Sequence, residues 1–141
     1  MPLWRCPVCR RKFANRNQSH ACGRYSLGSH FNGKSPIVRK LFNLFVAKVR
    51  SCGRVTILPE KTRIAFQVRM SFASLHVQKS RLTGHLVLAE RYESPCFVKV
   101  ESFSRQNHVH QFRIETAQDL SKDLCEFIKK AYAVGEQKHL L

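Results

Sequence analysis

No acidic residue occurs before Glu60, and the whole chain holds 9 Asp and Glu against 25 Lys and Arg. That scarcity excludes several chemistries. Metal-dependent phosphodiester hydrolysis needs carboxylates converging on a divalent ion, but Asp119, Asp123 and Glu126 take positions expected on the exposed side of a late helix. Glu60, Glu90, Glu93 and Glu101 are scattered over loops and strand ends. Long apolar runs are also missing: LFNLFVAKV is interrupted by Asn43 and Lys48 and is too short to span a bilayer. The opening MPLWRCPVC has no apolar stretch of signal-peptide length, so a cytoplasmic protein is expected. No Gly-rich loop follows a strand pattern to cradle a phosphate, and no Ser or Cys stands in a nucleophile motif. A binding role is therefore expected ahead of an enzymatic one.

What is present is positive charge, unevenly spread. Residues 1–59 carry 12 basic residues and no acid, a net +12, whereas residues 60–141 carry 13 basic and 9 acidic residues, a net +4. A field of this kind draws polyanions. Nucleic acid, as RNA or single-stranded DNA, is the expected partner, alone or within a larger protein or ribonucleoprotein assembly. No basic amphipathic segment stands free of the fold to lie on a membrane.

Inside this basic segment residues 6–22 read CPVCRRKFANRNQSHAC. Such spacing can serve a disulfide hairpin or a metal clamp, and a reducing compartment favours the metal. The C-x2-C turn presents two thiolates to one ion, and a His and a Cys further on complete a tetrahedron. The predicted ligands of one structural Zn2+ are Cys6, Cys9, His20 and Cys22, with His30 as a substitute for His20. Only one residue separates His20 from Cys22, too few for the helical second pair of a groove-reading finger. Arg10, Arg11, Lys12, Arg16 and Arg24 are placed to neutralise phosphates. Phe13 could stack on an unpaired base, but packing beneath the metal is the expected role of the module's apolar ring.

The remainder predicts an α+β domain, with residues 1–30 as the zinc module and 31–141 as the domain proper. Ser35 and Pro36 start a helix that Gly53 stops, running from about 36 to 51; Ile37, Leu41, Leu44, Phe45 and Val49, with Val38 and Phe42 beside them, form its inner face. From 54 to 114 the period is two, and VTILP, RIAFQVRMSFASLHV, LTGHLVLA, CFVKVESF and HVHQFRI read as a four- or five-stranded antiparallel meander. Thr116 and Asp119 resemble a capping box for a last helix, which Gly135 ends. The result is a two-layer domain with an N-terminal and a C-terminal helix flanking the sheet.

Lys61, Arg63, Arg69, His85, His108 and His110 are donors at the ends or polar positions of these strands. Together they could bind a phosphate or carboxylate, which would make the chain a small-anion binder or an enzyme. The alternation is not clean, because His108 and His110 share parity with Phe112 and Ile114; two ordinary edge histidines are the competing interpretation.

Taken together CPVC, FANRNQSHAC, the connector ending in HF, LPEKTRIAFQVRMSFA, the ESP before a strand, NHVHQFR and AYAVGEQ resemble a family of uncharacterised bacterial proteins. That family is built on a small conserved domain of unknown function, and the resemblance covers essentially the whole chain. It implies a cytosolic bacterial protein and an α+β fold similar to small frataxin-like domains. An iron role by that analogy is not expected, since hard iron sites favour acidic oxygen ligands and the chain lacks an acidic ridge.

Overall fold

The domain closes around Phe45, whose ring meets Phe66 edge-on at 5.2 Å and stacks on Phe112 at 5.8 Å. The structure, a computed structural model, describes residues 2–7, 10–16 and 25–138. Strands β1 (Trp4–Arg5) and β2 (Lys12–Phe13) form a small antiparallel hairpin, with Trp4 opposite Phe13. A 3-10 turn at Gly28–Phe31 leads to helix α1 (Pro36–Arg50). Strands β3 (Thr56–Pro59), β4 (Ile64–Gln67), β5 (Ser71–Val77), β6 (Leu82–Leu88), β7 (Lys99–Ser104) and β8 (Asn107–Ile114) follow, then helix α2 (Lys122–Gly135). The six pair antiparallel in the order β3-β4-β5-β6-β8-β7. No helix among the described residues is long and apolar enough to cross a membrane.

The predicted α+β class and flanking helices are present, but the sheet has six strands and is not a simple meander. The chain passes from β6 to the outer strand β7, and β8 returns between them. Burial explains this order: KVESFS is half-buried or exposed throughout, suiting an edge, whereas His110, Phe112 and Ile114 of β8 are buried. The run from Arg63 to Val77 is two strands, not one. Its break falls at Val68–Met70, where the Arg69 and Met70 N–H groups donate to the Gly135 carbonyl at 2.9 and 3.1 Å, so Val68 and Met70 do not continue a strand face.

Helix α1 begins where Ser35 and Pro36 predict, although no side-chain cap bond forms at Ser35. Its buried residues are Val38, Leu41, Phe42, Phe45, Val46 and Val49. Ile37 and Leu44, expected inside, are 40% and 42% exposed; the inward stripe is rotated toward Val38, Phe42 and Val46. Asp119 does reach back, accepting from the Glu115 and Thr116 N–H groups at 2.7 and 3.0 Å. That box secures a short 3-10 turn, while α2 is capped by Ser121, whose Oγ accepts from the Leu124 N–H at 3.1 Å.

Both helices cover one face of the sheet. On that face Ile64, Leu75, Gly84 and Phe112 form one cross-strand row, and Phe66, Ala73, Leu86 and His110 the next. Gly84 is required by close approach: a Cβ there would run into the Phe112 ring and lie 2.8 Å from Leu75 Cδ2. We expect Gly84→Ala to destabilise by about 1–3 kcal/mol through overpacking, read as a lower urea midpoint at unchanged slope. Adding Phe112→Leu should recover part of the loss; strict additivity of the two changes would show that Gly84 does not make room for Phe112.

Candidate nucleic-acid interface

The basic hairpin is anchored to the sheet by a buried amide. Gln67, 3% exposed, sends its Nε2 donor to the backbone carbonyl of Lys12. Leu58 and Ala65, a cross-strand pair on the face away from the helices, are buried as well. The open face is therefore covered at its β3–β4 end. Because the contact uses the Lys12 backbone, the Lys12 side chain is left on the exposed position of β2.

Within the hairpin Cys6 is 3% exposed and stands at the mouth of a tight turn. Its N–H donates to the Arg11 carbonyl and its carbonyl accepts from the Arg10 N–H, both at 2.8 Å. Arg10 adopts φ +62°, in the left-handed region. Phe13 is buried, with its ring 6.1 Å from that of Trp4, as expected for a packing role. Cys9, His20, Cys22 and Arg24 lie outside the described residues. Among the described residues no group of three or more His, Cys, Asp or Glu could hold a metal. His30 is half-buried in the 3-10 turn Gly28–Phe31.

Next to this anchor lies an open cleft of about 730 Å³ lined by Arg50, Arg54, Val55, Thr56, Gln67 and Val68 with Gly53. No acid lines it. Arg50 belongs to the last turn of α1, which it shares with Lys48, where cations also suit the negative end of the helix dipole. Arg39, Lys40, Lys48 and Arg50 are all exposed on α1. Gln67 bonds to the Lys12 carbonyl and also borders the cleft, so one side chain links the hairpin to the cleft lined by Arg50 and Arg54. Arg50 and Arg54 escaped the sequence reading as site residues because their convergence depends on the turn after α1.

The six predicted donors of a single anion pocket do not converge. Arg63 and His85 share the open face of the sheet, bordering one small cleft. Lys61 is exposed in the β3–β4 turn beside Arg63, whose Nε donates to Glu60 Oε1 at 2.7 Å. Arg69 sends its Nε to Gln137 Oε1 at 3.0 Å and ties the β4–β5 turn to the end of α2. His108 is held in the β7–β8 hairpin, with Nδ1 2.7 Å from Ser102 Oγ and Nε2 3.0 Å from the Arg105 carbonyl. His110 is on the helix-covered face and fully buried. Its parity with Phe112 and Ile114 was the signal for this position. His76, not chosen from sequence, stands beside His85 with ring centroids 5.8 Å apart; its placement became legible only once the Arg63–Val77 run divided into two strands.

The two-layer architecture defines an α+β domain with one covered and one open sheet face. Residues 27–135 match the family described as Domain of unknown function (DUF5655), and the chain belongs to that family. The match begins after the cysteine motif. No curated protein and no solved structure matches the chain.

His110 has a pH consequence. Its Nδ1 lies 2.9 Å from the His108 carbonyl and must donate, so Nε2 accepts from the Tyr92 N–H at 3.0 Å. The ring is neutral in this arrangement. Burial holds its pKa below the ordinary 6.5; the His108 carbonyl bond opposes this, and the charges of His108 and Arg91 reinforce it. The unfolded chain binds this proton more readily, so the contribution to stability is complete above about pH 6.5 and is lost as pH falls toward the lower folded value. We expect stability to fall with acidification through that window. His110→Leu should flatten part of the fall, His85 contributing in the same direction, and cost about 1–3 kcal/mol at neutral pH by stranding the Tyr92 N–H. Urea midpoints against pH test this; a variant as acid-sensitive as the parent would remove His110 from the account.

Proposed function

We propose that this is a cytoplasmic, non-enzymatic nucleic-acid-binding protein, in which a structural Zn2+ fixes the basic N-terminal module and its arginines contact the phosphates of RNA or single-stranded DNA. The observation that carries the proposal is the acid-free cleft bounded by Arg50 and Arg54, with Gln67 holding the basic hairpin at its border. A polyanion crossing this junction would meet Arg11, Lys12, Arg50 and Arg54 without meeting a carboxylate of the first 59 residues, since there is none. Cys6, Cys9, His20 and Cys22 would form a closed four-ligand site, whose work is to hold the loop and not to activate water.

Anisotropy titrations with labelled single-stranded RNA and DNA test the reading. Affinity is expected to fall linearly in log K against log salt, with a slope near −0.7 per phosphate contact. Changing Arg10, Arg11, Lys12 and Arg16 together to Glu should abolish binding while the thermal transition of the main domain persists. Purified protein should carry one zinc per chain, and Cys6→Ser should lose it. Absence of any binding at ~50 mM salt would sink the proposal.

A further inference from the structure

The face of the sheet away from the helices carries a second arrangement that the basic segment does not explain. Ser74 and His76 of β5 stand there beside Thr83 and His85 of β6, because Ser74 pairs with His85 and His76 with Thr83. The imidazoles of His76 and His85 are therefore diagonal neighbours and meet edge to face at 80°. Arg63, at the entry to β4, borders the same cleft of about 280 Å³. Across the cleft, an irregularity in the β7–β8 register between Ser102 and Ser104 accompanies Phe103, which lines the site and is 68% exposed. An aromatic ring this exposed, beside three groups able to carry positive charge, is what a nucleotide needs: a platform for its base and donors for its phosphate.

The acids nearby are already engaged. Glu60 accepts from Arg63 Nε, leaving the two terminal nitrogens of that guanidinium without a partner among the described residues. Glu101 of β7 is paired with Lys99. The groups that act on His85 are His76 on β5, Arg63 at β4 and Glu101 on β7, and burial together with the first two keeps its imidazole below the ordinary value. Arg113 of β8 lies on the same face, opposite Thr83. Arg63 and two imidazoles thus stand on one side of the cleft with the nearby carboxylates of Glu60 and Glu101 already in ion pairs, and a bound phosphate would favour protonation of the imidazoles. The cleft is open and shallow, which suits a strand passing over the sheet better than an enclosed small molecule.

We propose that the open sheet face binds one nucleotide of a single-stranded nucleic acid, with its base on Phe103 and its phosphate between Arg63, His76 and His85. This goes beyond the basic-segment reading, adding a site that discriminates single strands from duplexes: a paired base cannot leave its stack to lie on Phe103 without unpairing. Protonated histidines hold a phosphate better than neutral ones, so affinity at this site increases with acidification, read between about pH 8 and about pH 5.

The test uses the full chain, a labelled oligouridylate and a duplex RNA of equal length, with affinities taken by anisotropy across that pH range. Phe103→Ala is expected to weaken oligouridylate binding about tenfold, at the lower end of the stacking range, and to leave duplex binding unchanged; the ring is exposed, so the fold is not at risk. His76→Gln with His85→Gln should flatten the pH dependence of oligouridylate binding. If Phe103→Ala changes neither probe, or weakens both equally, the sheet site is wrong, and the N-terminal reading survives as long as charge reversal at Arg10, Arg11, Lys12 and Arg16 still abolishes binding. A pH dependence as steep in the double variant as in the parent also overturns the phosphate assignment. If the unaltered protein binds neither probe, both proposals fall.

Discussion

The missing side chain at Gly84 lets the Phe112 ring lie flat across the middle of the sheet, where it stacks on Phe45 of α1. Around this contact the helices can close on a single face. Phe66 meets Phe45 edge-on, Phe72 meets Tyr132 of α2 at 5.5 Å, and the Tyr132 hydroxyl donates to the Arg54 carbonyl at 2.7 Å. That last bond helps to fix the loop after α1, and with it one wall of the basic cleft. A domain of this size has one core to build, and building it on one side leaves the other sheet face available for polar chemistry. The arrangement of His76, His85 and Phe103 is in this sense a product of where the core was placed.

Sequence periodicity made much of this fold legible, and its failures have a common origin. Caps and alternation identified both helices and most strand segments because those signals are local: Pro36 at the helix start, Asp119 at the turn before α2, and the two-residue period through β8. What could not be read was pairing. That β8 would enter between β6 and β7 depends on comparing the burial of two distant segments, and the division of Arg63–Val77 depends on the Gly135 carbonyl, more than sixty residues away in the chain. Pooling His108 and His110 with Arg63 and His85 followed from treating polar residues near strand ends as neighbours. The parity of His110 with Phe112 pointed the other way, and the buried ring follows the parity. The predicted zinc ligands are a different case, for of Cys6, Cys9, His20 and Cys22 only Cys6 lies among the described residues.

Charge follows a logic separate from the fold. Of the nine acids five lie in ion pairs, Glu60 with Arg63, Glu101 with Lys99, Glu115 with Arg81, Glu126 with Lys129 and Glu136 with Lys138. Such exposed pairs add little to stability, but each cancels a positive charge at short range. The first 59 residues hold no acid of their own to do this, so compensation of the charge on α1 and the hairpin has to come from later residues, such as Glu126, which borders one cleft with Lys48, or from salt. The net +16 of the chain is in this way concentrated at one end, and the sheet face contributes groups whose charge depends on pH.

A two-stranded hairpin as short as β1–β2 cannot hold itself together in water. Two backbone bonds at Cys6 and the ring contact of Trp4 with Phe13 contribute to holding it. The proposed metal would close it internally, and Gln67 orients it externally. The acceptor for Gln67 is a backbone carbonyl; a side-chain acceptor would have drawn a polar group of the hairpin inward. With the carbonyl of Lys12 serving instead, the hairpin is fixed while its exposed cations remain turned toward solvent. Anchoring the backbone in this way removes main-chain freedom that a loose basic tail would lose on meeting an anion.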